Sequence, residues 1–176
     1  MGKQLFVTVG STKFDQLIQQ FLPSNQTYSF LTSLRGFGYQ KIVLQVGNSS
    51  FKNPDILNDI VEGISLEIYN FKSDLTEDYR NADLIISHAG SGSILESLRL
   101  RKRLVVVVNN TLADNHQAEL AEELEKNSYL LLCTPSGLGE TITRLEKDSA
   151  KITFTPFPAQ AENALQECLT DLLSSD

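Results

Sequence analysis

Between Asp83 and Glu96 the chain reads Asp-Leu-Ile-Ile-Ser-His-Ala-Gly-Ser-Gly-Ser-Ile-Leu-Glu: an apolar run, a turn of small residues, then the start of a helical pattern. Such a segment can hold an anion with main-chain groups alone. The free N–H groups of a helix N-terminus carry about half a positive charge, and Gly90 and Gly92 let a ligand approach with no Cβ in the way. Ser91 or Ser93 is placed to cap the helix. Glu96, one turn further in, can accept paired hydrogen bonds from the two hydroxyls of a ribose, which would make the segment a nucleotide clamp. Each residue taken singly has a plainer explanation. Gly-Ser turns join strand to helix in many α/β proteins, an early Glu complements the helix dipole, and a lone histidine such as His88 is usually structural. At the carboxyl end of a strand, where open α/β sheets seat their ligands, the combination reads as a site.

The elements that must position this segment alternate. Leu5 to Val9, Ile42 to Val46, Ile64 to Tyr69, Leu84 to Ser87, Leu104 to Val108 and Tyr129 to Leu132 read as strands rich in aliphatic residues. Phe14, Leu17, Ile18 and Phe21 follow helical spacing, as do Leu120, Ala121 and Leu124, and Leu165, Leu169, Leu172 and Leu173 form a last apolar stripe. The alternation implies an α/β fold with a Rossmann-like, doubly wound, mainly parallel sheet. Without repeat, low-complexity tract or boundary, residues 1–176 read as one domain, with Pro156 and Pro158 leading into an amphipathic helix over 159–173.

Composition narrows the function classes. The 176 residues carry a net charge of -7 and no long basic run, which argues against a nucleic-acid partner. Arg99, Arg101, Lys102 and Arg103 cluster at an expected helix C-terminus, where cations complement exposed carbonyls. The longest wholly aliphatic run, Leu104 to Val108, is far short of the roughly 20 residues of a membrane span, and the N-terminus has no secretory pattern. A cytoplasmic chain is expected, with Cys133 and Cys168 as reduced thiols.

Three segments together carry a family resemblance: Leu5-Phe-Val-Thr-Val-Gly10-Ser-Thr; His88-Ala-Gly-Ser-Gly-Ser-Ile-Leu-Glu96; and, after the strand at Leu104, Asp114-Asn-His-Gln117-Ala-Glu-Leu-Ala121. With Tyr79-Arg-Asn-Ala-Asp83 and Pro156-Phe-Pro158 they span nearly the whole chain. They resemble the catalytic subunit of the two-subunit UDP-N-acetylglucosamine transferase of dolichol-linked oligosaccharide synthesis. More distantly they are similar to the donor-binding half of the bacterial N-acetylglucosaminyltransferase that completes the lipid-linked peptidoglycan precursor. The resemblance implies the C-terminal, donor-binding half of a GT-B glycosyltransferase. It further implies a membrane-anchored acceptor-binding partner, reached in part through the last helix, and a place on the cytosolic face of the endoplasmic reticulum.

The implied reaction is inverting transfer from UDP-N-acetylglucosamine to dolichyl-diphosphate N-acetylglucosamine, adding the second N-acetylglucosamine. As an anion site, Gly90, Ser91, Gly92 and Ser93 face the diphosphate and Glu96 the ribose; Gly10 and Ser11, in the turn after the first strand, can face the same crevice, although many such turns bind nothing. Under this resemblance Phe71 walls the uracil, although a core role competes for it. Asn109, Asp114, Asn115, His116 and Gln117 offer polar groups to the hexose; Asp114 would serve equally as a helix cap, and Gln117 is the best placed of the set. The catalytic base is expected on the partner, with His88 orienting the turn or contacting sugar or phosphate. Neither cofactor nor metal is expected, since the chain has no Asp-x-Asp triplet and only two histidines. A nicotinamide dehydrogenase and a serine hydrolase fail on motif frame: Gly10-Ser-Thr-Lys-Phe-Asp is not Gly-x-Gly-x-x-Gly, and Ser91 and Ser93 do not sit in Gly-x-Ser-x-Gly. The surviving alternative is a non-catalytic nucleotide-sugar-binding or regulatory subunit.

Overall fold

Aliphatic runs with no polar face can satisfy themselves only inside a sheet covered on both sides, and the four central strands carry such runs here, with half-exposed strands at the two edges. The computed structural model describes residues 2–22, 25–50, 63–109 and 115–158, apart from the side chains of 25–27 and 115–117. The strands are β1 (Lys3–Thr8), β2 (Tyr39–Gln45), β3 (Ser65–Tyr69), β4 (Leu84–His88), β5 (Leu104–Val107) and β6 (Leu131–Cys133). The helices are α1 (Asp15–Ile18), α2 (Asn25–Gly36), α3 (Thr76–Asn81), α4 (Ser91–Arg99), α5 (Asn115–Lys126) and α6 (Leu138–Lys147). All pairings are parallel, in the order β3-β2-β1-β4-β5-β6. The mainly parallel, doubly wound sheet expected from the alternation is present.

Successive strand residues point to opposite faces, and each face has its own core. Leu5, Val7, Ile42, Leu44, Leu84, Ile86, Val105 and Val107 meet Leu17 and Ile18 of α1, Leu31 and Leu34 of α2, and Leu138, Ile142 and Leu145 of α6. On the other face Phe6, Val43, Ile85, Leu104 and Val106 meet Tyr79 of α3, Ile94 and Leu98 of α4, and Ala121 and Leu124 of α5. The phenol ring of Tyr79 stands edge-on to Phe6, centroids 5.0 Å apart.

Several expected boundaries shift. β6 begins at Leu131 and not Tyr129, because the Tyr129 amide closes the end of α5 on the Leu124 carbonyl and Ser128 takes a positive φ of 61°. The Phe14-to-Phe21 pattern divides into α1 and a 3-10 turn over Gln19–Phe21. Two members of the basic cluster are structural, but their side chains serve α3 and α6 and not the carbonyls of their own helix. Lys102 donates to the Arg80 and Ala82 carbonyls at the end of α3, and Arg103 reaches Glu146 at 2.8 Å. Cys133 is a free, half-buried thiol, and burial pushes its pKa up to about 12. The expected helix over 159–173, Asp114 and Cys168 lie outside the described residues. Among those residues no helix is long and apolar enough to cross a membrane.

The two ends of the sheet differ in character. At the amino end Glu146, 4% exposed, binds Lys3 at 2.7 Å, the Tyr39 hydroxyl at 2.9 Å and Arg103 at 2.8 Å. This closed ion cluster ties α6 to the starts of β1 and β2 and to the residue before β5. The carboxyl end holds the open turns.

Candidate functional site

In a doubly wound sheet the crevice lies outside the carboxyl ends of the strands, where the chain's direction of travel across the sheet reverses. Here that point falls between β1 and β4. Their register pairs Thr8 with Ser87, so the Gly10 turn and the turn after His88 stand side by side at the mouth. Gly10 has a φ of 59°, a left-handed conformation suited to glycine, and Ser11 beyond it is exposed.

His88 fills the space between the two turns. A Cβ at Gly90 would sit 2.0 Å from its Nε2, and one at Gly10 would sit 2.8 Å from its Cε1. At Gly90 the space that a Cβ would fill belongs to the imidazole. Burial pushes the pKa of His88 below the usual histidine range, against the opposing influence of the Thr8 carbonyl, so the ring is neutral at pH 7. Its Nδ1 is buried without a hydrogen-bond partner.

The start of α4 departs from expectation. Gly90, in extended conformation, occupies the N-cap position, and neither Ser91 nor Ser93 makes a side-chain cap. Ser91 is instead the first helical residue. Gly92 is exposed, and a Cβ there would meet nothing within 4 Å, so its face looks outward from the first helical turn. The amides of the first turn therefore keep the dipole end open, as an anion site requires. The Ser93 hydroxyl lies near the Tyr79 phenol, and Glu96, three residues further along α4, stands half-buried. Burial raises the Tyr79 phenol, the Ser93 hydroxyl opposes this, and the nearby Glu96 carboxylate adds to it.

Phe71 follows β3 and is 56% exposed, which removes the competing core role. An open aromatic face at the carboxyl end of the sheet can stack on a base. Its loop is pinned by residues that were not foreseen. Lys72 donates to Glu67 at 2.9 Å and Asp78 at 3.0 Å, and its ammonium lies 4.0 Å from the Tyr69 ring centroid. The Tyr69 hydroxyl donates to Asp78 at 2.6 Å. Gln45, which closes β2, was also missed, although an amide in the run Ile42-Val-Leu-Gln-Val46 signals a buried polar group that must be satisfied. Gly47 has a φ of 52°, and a Cβ there would sit 2.5 Å from the Gly10 carbonyl. The β1 and β2 turns are thus in direct contact.

On the far side of the crevice Asn109 is half-buried, two residues beyond β5. Asn115 is the first residue of α5, so the backbones of Asn115, His116 and Gln117 form another helix start at the carboxyl end. Their side chains lie outside the description. The structure therefore gathers Gly10, Ser11, His88, Gly90, Ser91, Gly92, Ser93 and Glu96 at the switch point, with Phe71 to one side and Asn109 and the α5 start to the other.

Residues 4–171 match the model of the glycosyltransferase family 28 C-terminal domain. The UDP-N-acetylglucosamine transferase subunit ALG13 of Yarrowia lipolytica is 33% identical, over 97% of this chain and 84% of its own length. The chain belongs to this family. ALG13 of Mus musculus is 46% identical over 75% of the chain, but the match spans only 11% of the mouse protein, and that with the human one spans 14%. An NMR solution structure of ALG13 superposes with a TM-score of 0.68 at 24% identity, covering 99% of this chain and 98% of that one. Acinetobacter baumannii MurG gives 0.63 at 20% identity, covering the whole of this chain and 50% of that one. At such identities the structural likeness is one of fold, that of one half of a GT-B glycosyltransferase.

Proposed function

We propose that the chain is the donor-binding catalytic subunit of a UDP-N-acetylglucosamine transferase. It works with a membrane-anchored, acceptor-binding partner at the cytosolic face of the endoplasmic reticulum, and adds the second N-acetylglucosamine to dolichyl-diphosphate N-acetylglucosamine. The observation that carries the reading is the switch-point crevice: an uncapped helix start at Ser91 and Gly92 faces the Gly10 turn, with the Glu96 carboxylate one turn behind. The relatives are named UDP-N-acetylglucosamine transferase subunits, which supports the same donor and the need for a second subunit.

In this reading the diphosphate lies across the amides of Gly10, Ser11, Ser91 and Gly92, the ribose hydroxyls on Glu96 and the uracil on Phe71. The hexose meets Asn109, Asp114, Asn115, His116 and Gln117. An acceptor hydroxyl attacks the anomeric carbon from the face opposite the diphosphate. The new C–O bond forms as the bond to the phosphate oxygen breaks, the configuration inverts, and the acceptor's proton passes to a base. Charge gathers on the departing UDP, where amides and dipole already point, so stabilisation requires no reorganisation. That electrostatic arrangement supports transfer without a metal. His88 holds the two turns apart and orients them. Packed against both glycines, it supports a base supplied by the partner.

The test is transfer of labelled N-acetylglucosamine to dolichyl-diphosphate N-acetylglucosamine by the co-expressed subunits, beside each alone and a Glu96→Ala complex, with and without chelator. Transfer that needs both chains and Glu96 and survives chelation is expected. A complex that assembles with the partner but transfers nothing, or is indifferent to Glu96, would mark a regulatory subunit instead.

A further inference from the structure

Gln45 is 2% exposed and sits at the end of β2, the strand between the one that leads to Gly10 and the one that leads to Phe71. Its amide makes every hydrogen bond that its Nε2 protons and Oε1 lone pairs allow. Oε1 accepts from the Thr8 hydroxyl at 2.6 Å and the Gly10 amide at 2.9 Å; Nε2 donates to the Gly10 carbonyl at 2.7 Å and the Asn70 carbonyl at 2.8 Å. The partners also settle which atom is which, because two donors face one end and two carbonyls the other. One side chain therefore grips both main-chain groups of Gly10 and the residue immediately before Phe71. No sheet pairing joins these two turns directly, since β2 stands between β1 and β3.

We propose that Gln45 is a positioning residue for the donor: it fixes the distance between the turn that receives the diphosphate and the loop that receives the base. The proposal rests on the donor-site reading above and deepens it. Leu44 and Val46, the neighbours of Gln45, are buried aliphatic residues, so burial alone does not call for an amide. The amide's own product is the link between two loops. The Gly10 carbonyl would lose the donor that holds it, whereas the Gly10 amide would keep Thr8 at 3.2 Å and the Asn70 carbonyl would keep the Gly47 amide at 3.2 Å. Loss of Gln45 would thus remove the direct link between the two turns without unravelling either, leaving only the indirect ties through the turn after β2, where Asn48 bonds the Ser11 and Thr12 carbonyls and Gly47 and Asn70 bond each other. A ligand that spans both turns gains from their fixed spacing, and a ligand that touches only one does not.

The experiment compares UDP, uridine and pyrophosphate as ligands of the 176-residue chain by NMR titration, in wild type, Gln45→Leu and Thr8→Val. In Gln45→Leu, UDP affinity is expected to fall tenfold or more while uridine and pyrophosphate each fall less than threefold. Thr8→Val, which removes one of the two donors to Oε1 at nearly constant shape, should shift the same ratio in the same direction by a smaller factor, and it carries the comparison if Gln45→Leu does not fold. Equal losses for all three ligands, or unchanged UDP affinity beside a lowered melting temperature, would make Gln45 a structural amide and overturn the proposal. Failure of the wild type to bind UDP would overturn the donor-site reading itself, and the proposal with it.

Discussion

Gly90 and Gly92 lie two residues apart in one turn, and the structure assigns them opposite duties that a pair of alanine substitutions separates. A methyl group at Gly90 would sit 2.0 Å from Nε2, 2.5 Å from Cε1 and 2.9 Å from Cδ2 of His88. Ordinary contact is about 3.5 Å, so the ring must retreat by roughly 1.5 Å. The Gly10 turn, whose own Cβ direction meets the same ring at 2.8 Å, blocks that retreat. Overpacking of this kind costs about 1–3 kcal/mol, which in a chain of this size lowers the melting temperature by roughly 2–12 °C. Gly92→Ala meets nothing and replaces a helical glycine, so stability should hold or rise by up to about 1 kcal/mol. The same methyl group stands where a diphosphate must approach, and UDP affinity should fall. Calorimetric melting and UDP titration of both variants, with His88→Ala/Gly90→Ala to show that the Gly90 penalty needs the ring, make the check. A Gly90→Ala protein that melts with the wild type, or a Gly92→Ala protein that binds UDP as well as wild type, would refute the assignment.

Other perturbations have calculable outcomes. Phe71→Ala should leave stability nearly unchanged, because the ring is 56% exposed, yet weaken UDP by about 1–3 kcal/mol, roughly 5–150-fold, through lost stacking; equal binding in a titration would count against it. Glu146→Gln should cost about 2–3 kcal/mol in denaturant unfolding and spare UDP binding, since the cluster lies at the opposite end of the sheet. Burial raises the Glu146 pKa, but Lys3, Tyr39 and Arg103 outweigh it and hold the carboxyl below its usual range. Its contribution to stability is therefore present above the unfolded glutamate pKa of about 4.3 and fades as pH falls through the folded value, so the variant should have a flatter acid limb in a stability profile. The His88 pKa is also lowered, here because burial disfavours the charged ring. The unfolded chain takes up its proton first, so stability should begin to fall below about pH 6.5, and an NMR titration of the ring with a midpoint at or above that value would contradict the burial.

The central strands were legible because each carries a continuous apolar run that only a doubly covered sheet can bury, as at Leu104–Val107, whereas the edge strands Ser65–Tyr69 and Leu131–Cys133 are only half-buried. The turn after β4 was legible as a site for the same reason: small residues after such a run must lie at its carboxyl end. What failed was local chemistry decided by distant neighbours. Ser91 and Ser93 have the residue type of a cap, but the extended Gly90 takes that position and the Ser93 hydroxyl lies near Tyr79 of α3, with the whole of β4 between them in the chain. The glycine at 90 gives no sign in the sequence that His88 fills the space a Cβ would take. α6 carries its signal in Leu138, Ile142 and Leu145, spaced for one helical face, yet Glu146 beside them has meaning only once Lys3, Tyr39 and Arg103 converge on it. Gln45 lies between these cases: its polarity within an apolar strand announces a buried network, and only the fold says that the network joins the turns after β1 and β3.

The most direct test of the central claim is to titrate the isotope-labelled chain with UDP and follow every backbone amide by NMR. The largest shifts should fall at Gly10 and Ser11, at Ser91 to Ser93, and at Phe71 and Lys72, with Glu96→Ala weakening the binding and leaving the pattern in place. Shifts centred on the amino end of the sheet around Lys3, Tyr39 and Arg103, or a Glu96→Ala protein that binds UDP as tightly as wild type, would contradict the account.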